Sequence, residues 1–303
     1  MSDRRPLRIA VAALSCAALL SIAACALAPA AADAPSAMTD PRERGRFLER
    51  ELRLASGVRH RYQVFVPSRQ AGGERPPAIL FLHGSGERGD DNQRQLAVGL
   101  APHLRSVQDR FPALVVFPQS PADASWTGDT ARMALAALDA AMAEFGADPE
   151  RVALTGLSRG GYGVYELALI QPGRFAALVP VCGGLTAPPS IPDLYVRDVA
   201  AAADPYADAA RRLKDTPIWI FHGALDAAVP VAQSRDLAAA LERAHARDAR
   251  YTEFPQAEHN AWDAAYATPA LWTWMFAQVG HDGGLVGGCA IGSGRPGAGS
   301  RSS

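Results

Sequence analysis

Short, uninterrupted apolar runs alternate with longer stretches of helical spacing along the chain. Ala78-Ile79-Leu80-Phe81-Leu82, Ala113-Leu114-Val115-Val116-Phe117, Val152-Ala153-Leu154, Phe175 to Val181 and Ile218-Trp219-Ile220-Phe221 lack polar alternation, which is the pattern of strands covered on both faces. Arg59 to Val66 alternates instead, as a half-exposed strand does, and Arg250 to Phe254 is a further strand candidate. Between these runs Leu135, Leu138, Met142 and Phe145 recur at helical spacing and Gly146 follows as a stop. Residues 231–246 predict another helix, and one from Trp262 to Val279 would close the domain. Strands alternating with helices predict an α/β fold with a mostly parallel central sheet and helices on both faces. In such sheets reactive groups collect beyond the carboxyl ends of the strands.

The ends of the chain read differently. Arg4, Arg5 and Arg8 precede Ile9 to Ala24, an uncharged apolar run shorter than the roughly twenty residues a permanent membrane helix needs. Residues 1–25 are therefore read as a signal peptide and the protein as exported, periplasmic or secreted. Ile22-Ala23-Ala24-Cys25 resembles a lipobox, which would anchor the protein to a membrane through lipidated Cys25, while Ala30-Ala31-Ala32 suits ordinary cleavage. Arg4-Arg5 followed by Pro6 is a poor twin-arginine match. Residues 26–41 are an Ala/Pro-rich tether, and residues 281–303 form a Gly/Ser/Arg tail with too few apolar groups to offset the entropy of ordering. The globular domain is expected at 42–280, in a chain of 303 residues with 49% hydrophobic content.

Thirty Lys and Arg face 31 Asp and Glu, and Lys214 is the only lysine. No basic face offers itself for nucleic acid, whose binding depends on counterion release by clustered cations. Beyond Cys25 the exported part would keep only Cys182 and Cys289, too few for a disulfide scaffold; Cys182 ends an apolar run and reads as a small buried hydrophobe.

Candidate chemistry sits at the strand ends. Gly156-Leu157-Ser158-Arg159-Gly160 follows an apolar strand and precedes a helix-compatible segment, the context that makes G-x-S-x-G a nucleophile elbow. After the 78–82 run comes His83-Gly84-Ser85-Gly86, where the backbone N–H of Ser85, with that of Arg159, would hold a tetrahedral oxyanion. Asp226 follows the 218–221 run and His259 follows the 250–254 strand, giving the order serine, acid, histidine. A serine hydroxyl is a weak nucleophile until an imidazole takes its proton, and the carboxylate fixes the imidazole tautomer. His222, directly before Gly223, reads as a structural turn residue, and His60, His103, His245 and His281 lack the strand-loop context. Glu258 and Asp263 are weaker alternatives to Asp226, since sequence neighbours point apart. No metal site is expected, because H-E-x-x-H spacing and paired cysteines are absent from the sequence.

These residues in order resemble the phospholipase/carboxylesterase and dienelactone-hydrolase-like group of α/β-hydrolases, including feruloyl-esterase-like and polyhydroxybutyrate-depolymerase-like members. The matching pieces are Phe81 through Asn92, Asp148-Pro149-Glu150-Arg151 leading to Gly156 through Gly161, His222-Gly223 with Asp226, and His259-Asn260-Ala261-Trp262. The resemblance implies an α/β-hydrolase fold and hydrolysis of a small-molecule ester through an acyl-enzyme, without a cofactor. It leaves the acyl group open. Trp126 and Trp262 are candidate substrate-binding pocket walls by position, with a packing role as the alternative. Residues 183–217 are too short for a large cap domain and are read as the lid or specificity loop. Two other functions remain in view: a serine peptidase of prolyl-oligopeptidase type and a noncatalytic surface lipoprotein keeping the fold.

Overall fold

Eight strands form one sheet in the order β1-β2-β4-β3-β5-β6-β7-β8 in a computed structural model that describes residues 44–54, 57–68 and 74–280. These residues belong to the second of two units, Thr39–Ser303. The signal and tether expected before residue 42, Cys25, His281, Cys289 and the glycine-rich tail lie outside the described residues. β1 (Arg46–Arg53) and β2 (Arg59–Val66) run antiparallel to each other, and β2 runs antiparallel to β4. β3 (Ala78–Leu82), β4 (Leu114–Pro118), β5 (Val152–Leu157), β6 (Ala177–Val181), β7 (Ile218–Gly223) and β8 (Ala249–Phe254) are parallel throughout.

The inner strands are continuous apolar runs because both faces are covered. In β3, Ala78, Leu80 and Leu82 point into one core while Ile79 and Phe81 point into the other, as the two-residue period of a strand requires. The first core is closed by α2 (Gly128–Phe145), α3 (Arg159–Ile170), α5 (Pro205–Leu213) and α6 (Ala232–Arg243), and α4 (Arg197–Ala200) adds Val199. The second is closed by α1 (Leu100–Val107), α7 (Trp262–Tyr266) and α8 (Pro269–Phe276). Gly146 ends α2 in the left-handed conformation at φ 69°, its N–H returning to Met142 O, as the periodicity anticipates.

Two features depart from the sequence reading. The single helix expected over 262–279 is two: Pro269 has no amide proton, and Thr268 before it is extended at φ −76°, ψ 108°, the conformation a following proline imposes. β1 and α1 lack a strong sequence signature. β1 is a charged edge strand, and Pro102 interrupts the helical reading of α1 although it falls in the first turn, where no intrahelical donor is required.

Residues 183–217 carry only the short α4, α5 and connecting loops, so among the described residues no large cap covers the sheet. The start of this segment is pinned. Gln233 Oε1 accepts from Leu185 N and Thr186 N, and its Nε2 donates to Thr186 O. β4 lies on one side of β3 and β5 on the other, so chain direction across the sheet switches between β3 and β5, and a crevice opens there at the carboxyl edge.

Candidate active site

β5 delivers Ser158 to that crevice. Ser158 sits at φ 52°, ψ −120°, a conformation that strains any residue with a Cβ by about 1–3 kcal/mol. The turn is held by Ser158 N donating to Val181 O at 2.9 Å. It is possible only because the flanking residues lack side chains. A Cβ on Gly160 would lie 1.9 Å from Leu82 O, and one on Gly156 would lie 2.5 Å from Gly160 O. The backbone thus swings directly into α3, whose first residue is Arg159.

The loop after β3 lies against Ser158. A Cβ built on Gly84 would stand 3.5 Å from Ser158 Cβ, so the chain here passes close beside the serine. His83 fixes the loop. Its Nδ1 lies 2.7 Å from Gly84 O, and its Nε2 accepts from Ser120 N at 3.0 Å. Nδ1 therefore carries the proton, and burial pulls this imidazole down to about 4. Glu87 reinforces the turn by accepting from Gly84 N at 2.9 Å. Ser85 follows as the first residue of a short 3-10 turn. Its N–H and that of Arg159 both begin helical turns, where no intrahelical acceptor exists for them.

The loops after β7 and β8 bring the other two residues in. His259 Nε2 is 2.9 Å from Ser158 Oγ, and His259 Nδ1 is 2.7 Å from Asp226 Oδ2. The carboxylate is fully buried and the ring 28% exposed, so one end of the relay is dry while the other faces outward. Asp226 Oδ1 accepts from Ala228 N and Val229 N, both at 2.9 Å. Burial pushes this carboxyl up, but hydrogen bonds from His222, His259 and the Val229 amide outweigh it and hold the group far below the usual carboxylate range. It is an anion at any working pH.

His222 is the residue the sequence reading undervalued. Its Nε2 lies 3.2 Å from Asp226 Oδ2 and 3.0 Å from Val229 O, while Nδ1 lies 2.7 Å from Ser234 Oγ. Nε2 faces two acceptors and so carries a proton, leaving Nδ1 to accept from the serine hydroxyl in the neutral ring. Asp226 therefore receives two imidazoles. The available signal was His222 four residues before Asp226 at a strand end, which spacing alone does not distinguish from a turn.

Other candidates separate cleanly. Trp126 is not a pocket wall. It is 1% exposed, its Nε1 donates to His83 O at 2.9 Å, and its ring meets His83 edge-on at 4.8 Å; an indole whose N–H must be satisfied inside the core packs there. Trp262 does reach the site, its ring edge-on to His259 at 5.5 Å. Glu258 is exposed, and Asp263 accepts from Asn260 Nδ2; neither bonds His259. His103 stacks on Trp272, and His60 lies on β2. Cys182 is buried and free, its Sγ donating to His259 O at 3.2 Å, and burial pushes the thiol up to about 12. Cys182, Asp226 and His259 hold ligand atoms within 4.8 Å of one another. This set does not suit a metal, because the thiol keeps its proton and the carboxylate oxygens are spent on four N–H groups.

An eight-stranded, mostly parallel sheet with a serine elbow after β5, an acid after β7 and a histidine after β8 makes this chain an α/β-hydrolase by fold. Known proteins agree. The prolyl oligopeptidase family is matched by residues 192–281, the part that carries Asp226 and His259. A thermostable esterase structure is similar at 29% identity and TM-score 0.61, over 77% of this chain and 63% of that one; this chain thus spans less than two thirds of that protein's length. The Staphylococcus aureus fluorophosphonate-binding serine hydrolase FphF aligns at 18% identity and TM-score 0.58, over 77% of this chain and 98% of the other. An acylaminoacyl peptidase from Pyrococcus horikoshii aligns at 18% identity and TM-score 0.51, over 71% of this chain and 38% of the other. No curated protein matches the sequence.

Proposed function

We propose that the protein is a serine hydrolase that cleaves carboxylic esters through an acyl-enzyme, with Ser158 as nucleophile, His259 as general base and Asp226 as supporting carboxylate. The observation that carries this is the single imidazole bonded on one side to Ser158 Oγ at 2.9 Å and on the other to Asp226 Oδ2 at 2.7 Å. Ser158 Oγ attacks the ester carbonyl while His259 Nε2 takes its proton; the Nδ1–H stays on Asp226, which stabilises the imidazolium. The carbonyl oxygen becomes an oxyanion facing the N–H groups of Ser85 and Arg159, each such donor commonly worth about 3 kcal/mol. The same proton passes to the departing alkoxide. Water, deprotonated by His259, then releases the acid and restores the serine. Trp262 beside His259 serves as a wall for the substrate.

The similar thermostable esterase supports an ester substrate. A peptidase is the second reading, favoured by the prolyl oligopeptidase match over 192–281. Ester cleavage is preferred because the prolyl oligopeptidase match covers only residues 192–281 and leaves out Ser85 and Ser158, whereas the likeness to the thermostable esterase runs over 77% of this chain. The test compares acetyl, butyryl, feruloyl and hydroxybutyrate esters with peptide anilides; turnover of anilides above esters would reverse the assignment. The basic and then apolar segment before Cys25 supports export, and mass spectrometry of the mature N-terminus reads whether Cys25 carries lipid.

A further inference from the structure

Two guanidinium groups converge on Ser85, the residue whose amide is assigned to the oxyanion. Arg159 Nε donates to Ser85 Oγ at 2.9 Å, and Arg88 Nε donates to Ser85 O at 3.1 Å. Among the described residues neither arginine has a carboxylate within 4 Å, and no side chain or carbonyl takes the Nη groups of either. Arg159 is 4% exposed, so its stem is enclosed. Yet its Nη atoms are absent from the sealed, unpartnered polar atoms of the described residues, which are Asn92 Nδ2, Gln95 Oε1 and Tyr165 Oη; they still reach solvent.

Holding two cations together without an anion is costly, because desolvation and mutual repulsion act in the same direction. Both effects pull Arg159 below the usual arginine range, burial first and Arg88 next, and Asp193 opposes them only from beyond ion-pair distance. Arginine stays protonated regardless. The residue following a nucleophilic serine needs only to supply its backbone N–H, so a small or apolar side chain would do. A charged fork placed there, with a second one across Ser85, has donors to spare for a planar or tetrahedral anion.

Resting on the esterase reading, we propose that Arg159 and Arg88 form an anion-recognising subsite, and that the preferred substrates are esters bearing a carboxylate or similar anionic group a few bonds from the scissile carbonyl. The anion is the partner missing from both forks. It would be held on the oxyanion side of the nucleophile, so its charge also fixes which face of the carbonyl meets Ser158.

The experiment compares charged and neutral esters of matched shape. On the acyl side these are para-nitrophenyl glutarate monoester and para-nitrophenyl valerate; on the alcohol side, para-carboxyphenyl butyrate and para-carbamoylphenyl butyrate. The expected result at low ionic strength is a preference in kcat/KM of about tenfold or more for the anionic ester in one arm, the size of one charge-assisted hydrogen bond. The arm that shows it says where the anion sits. The ratio collapses toward unity in Arg88→Gln and in Arg159→Gln, survives in part in Arg159→Lys, and shrinks as salt is added. A wild-type ratio near unity in both arms overturns the inference, even if the Arg159 variants do not fold, and so does a ratio unchanged in Arg88→Gln. Turnover of neutral esters without the preference defeats this inference alone. No ester turnover at all defeats the esterase reading beneath it.

Discussion

Asp226 shares its charge between two imidazoles, and the division of labour between them can be measured. His259 bonds Ser158 Oγ, whereas His222 is fully buried and bonds neither of them; under the proposed mechanism it is a positioning residue. Asp226→Asn should lower kcat by about ten-thousand-fold, since an amide can present its N–H to His259 and stabilise the wrong tautomer. His222→Phe should lower kcat by about tenfold with KM little changed, the cost of one hydrogen bond to a charged acceptor. An unaltered kcat in that variant would reduce His222 to packing. Ser158, His259 and Asp226 were legible as candidates in the sequence because each follows a strand candidate in the order the chemistry needs. His222 was not, because its value lies in a contact with Asp226 that only the curl of the 223–229 loop creates. Of the two roles left open for Trp126 the sequence could not choose, for a similar reason: a tryptophan in a loop after β4 could face either way, and the acceptor for its N–H, His83 O, is far off in the chain.

At the scale of elements, the site depends on how closely two backbones approach. Gly160→Ala would drive a methyl into Leu82 O, and neither partner is a side chain that can turn away. We expect a loss of more than about 3 kcal/mol in urea unfolding, with activity lost even where protein remains folded; a variant of normal stability would contradict the close approach. The β3 loop carries its own pH dependence through His83. Its folded value of about 4 lies below the 6.5 of an unhindered imidazole, so between those values the unfolded chain binds the extra proton. Stability is therefore full above about pH 6.5 and declines as pH falls toward 4, by roughly 3 kcal/mol in total. His83→Asn should flatten that part of a melting-temperature profile, and an unchanged slope would place the acid sensitivity elsewhere. The inner strands were readable because burial on both faces makes them continuously apolar. β1 and α1 were not, since a charged edge strand and a proline in a first turn blur the periodicity.

Across the whole molecule, residues from four strand ends, β3, β5, β7 and β8, meet at one edge of the sheet. That convergence was foreseeable from the alternation of strands and helices, because parallel sheets put every βα loop on the same side. What the alternation could not reveal was the pair of arginines around Ser85, since Arg88 ends the short turn after β3 and Arg159 opens α3. The central claim is that this convergence makes one hydroxyl reactive. Its most direct measurement is intact-protein mass spectrometry with peptide mapping after exposure to a fluorophosphonate, on the wild type and on His259→Ala. The account predicts a single adduct on the peptide containing Ser158 in the wild type and almost none in the variant. An adduct on another residue, or equal labelling of Ser158 without the imidazole, would contradict it.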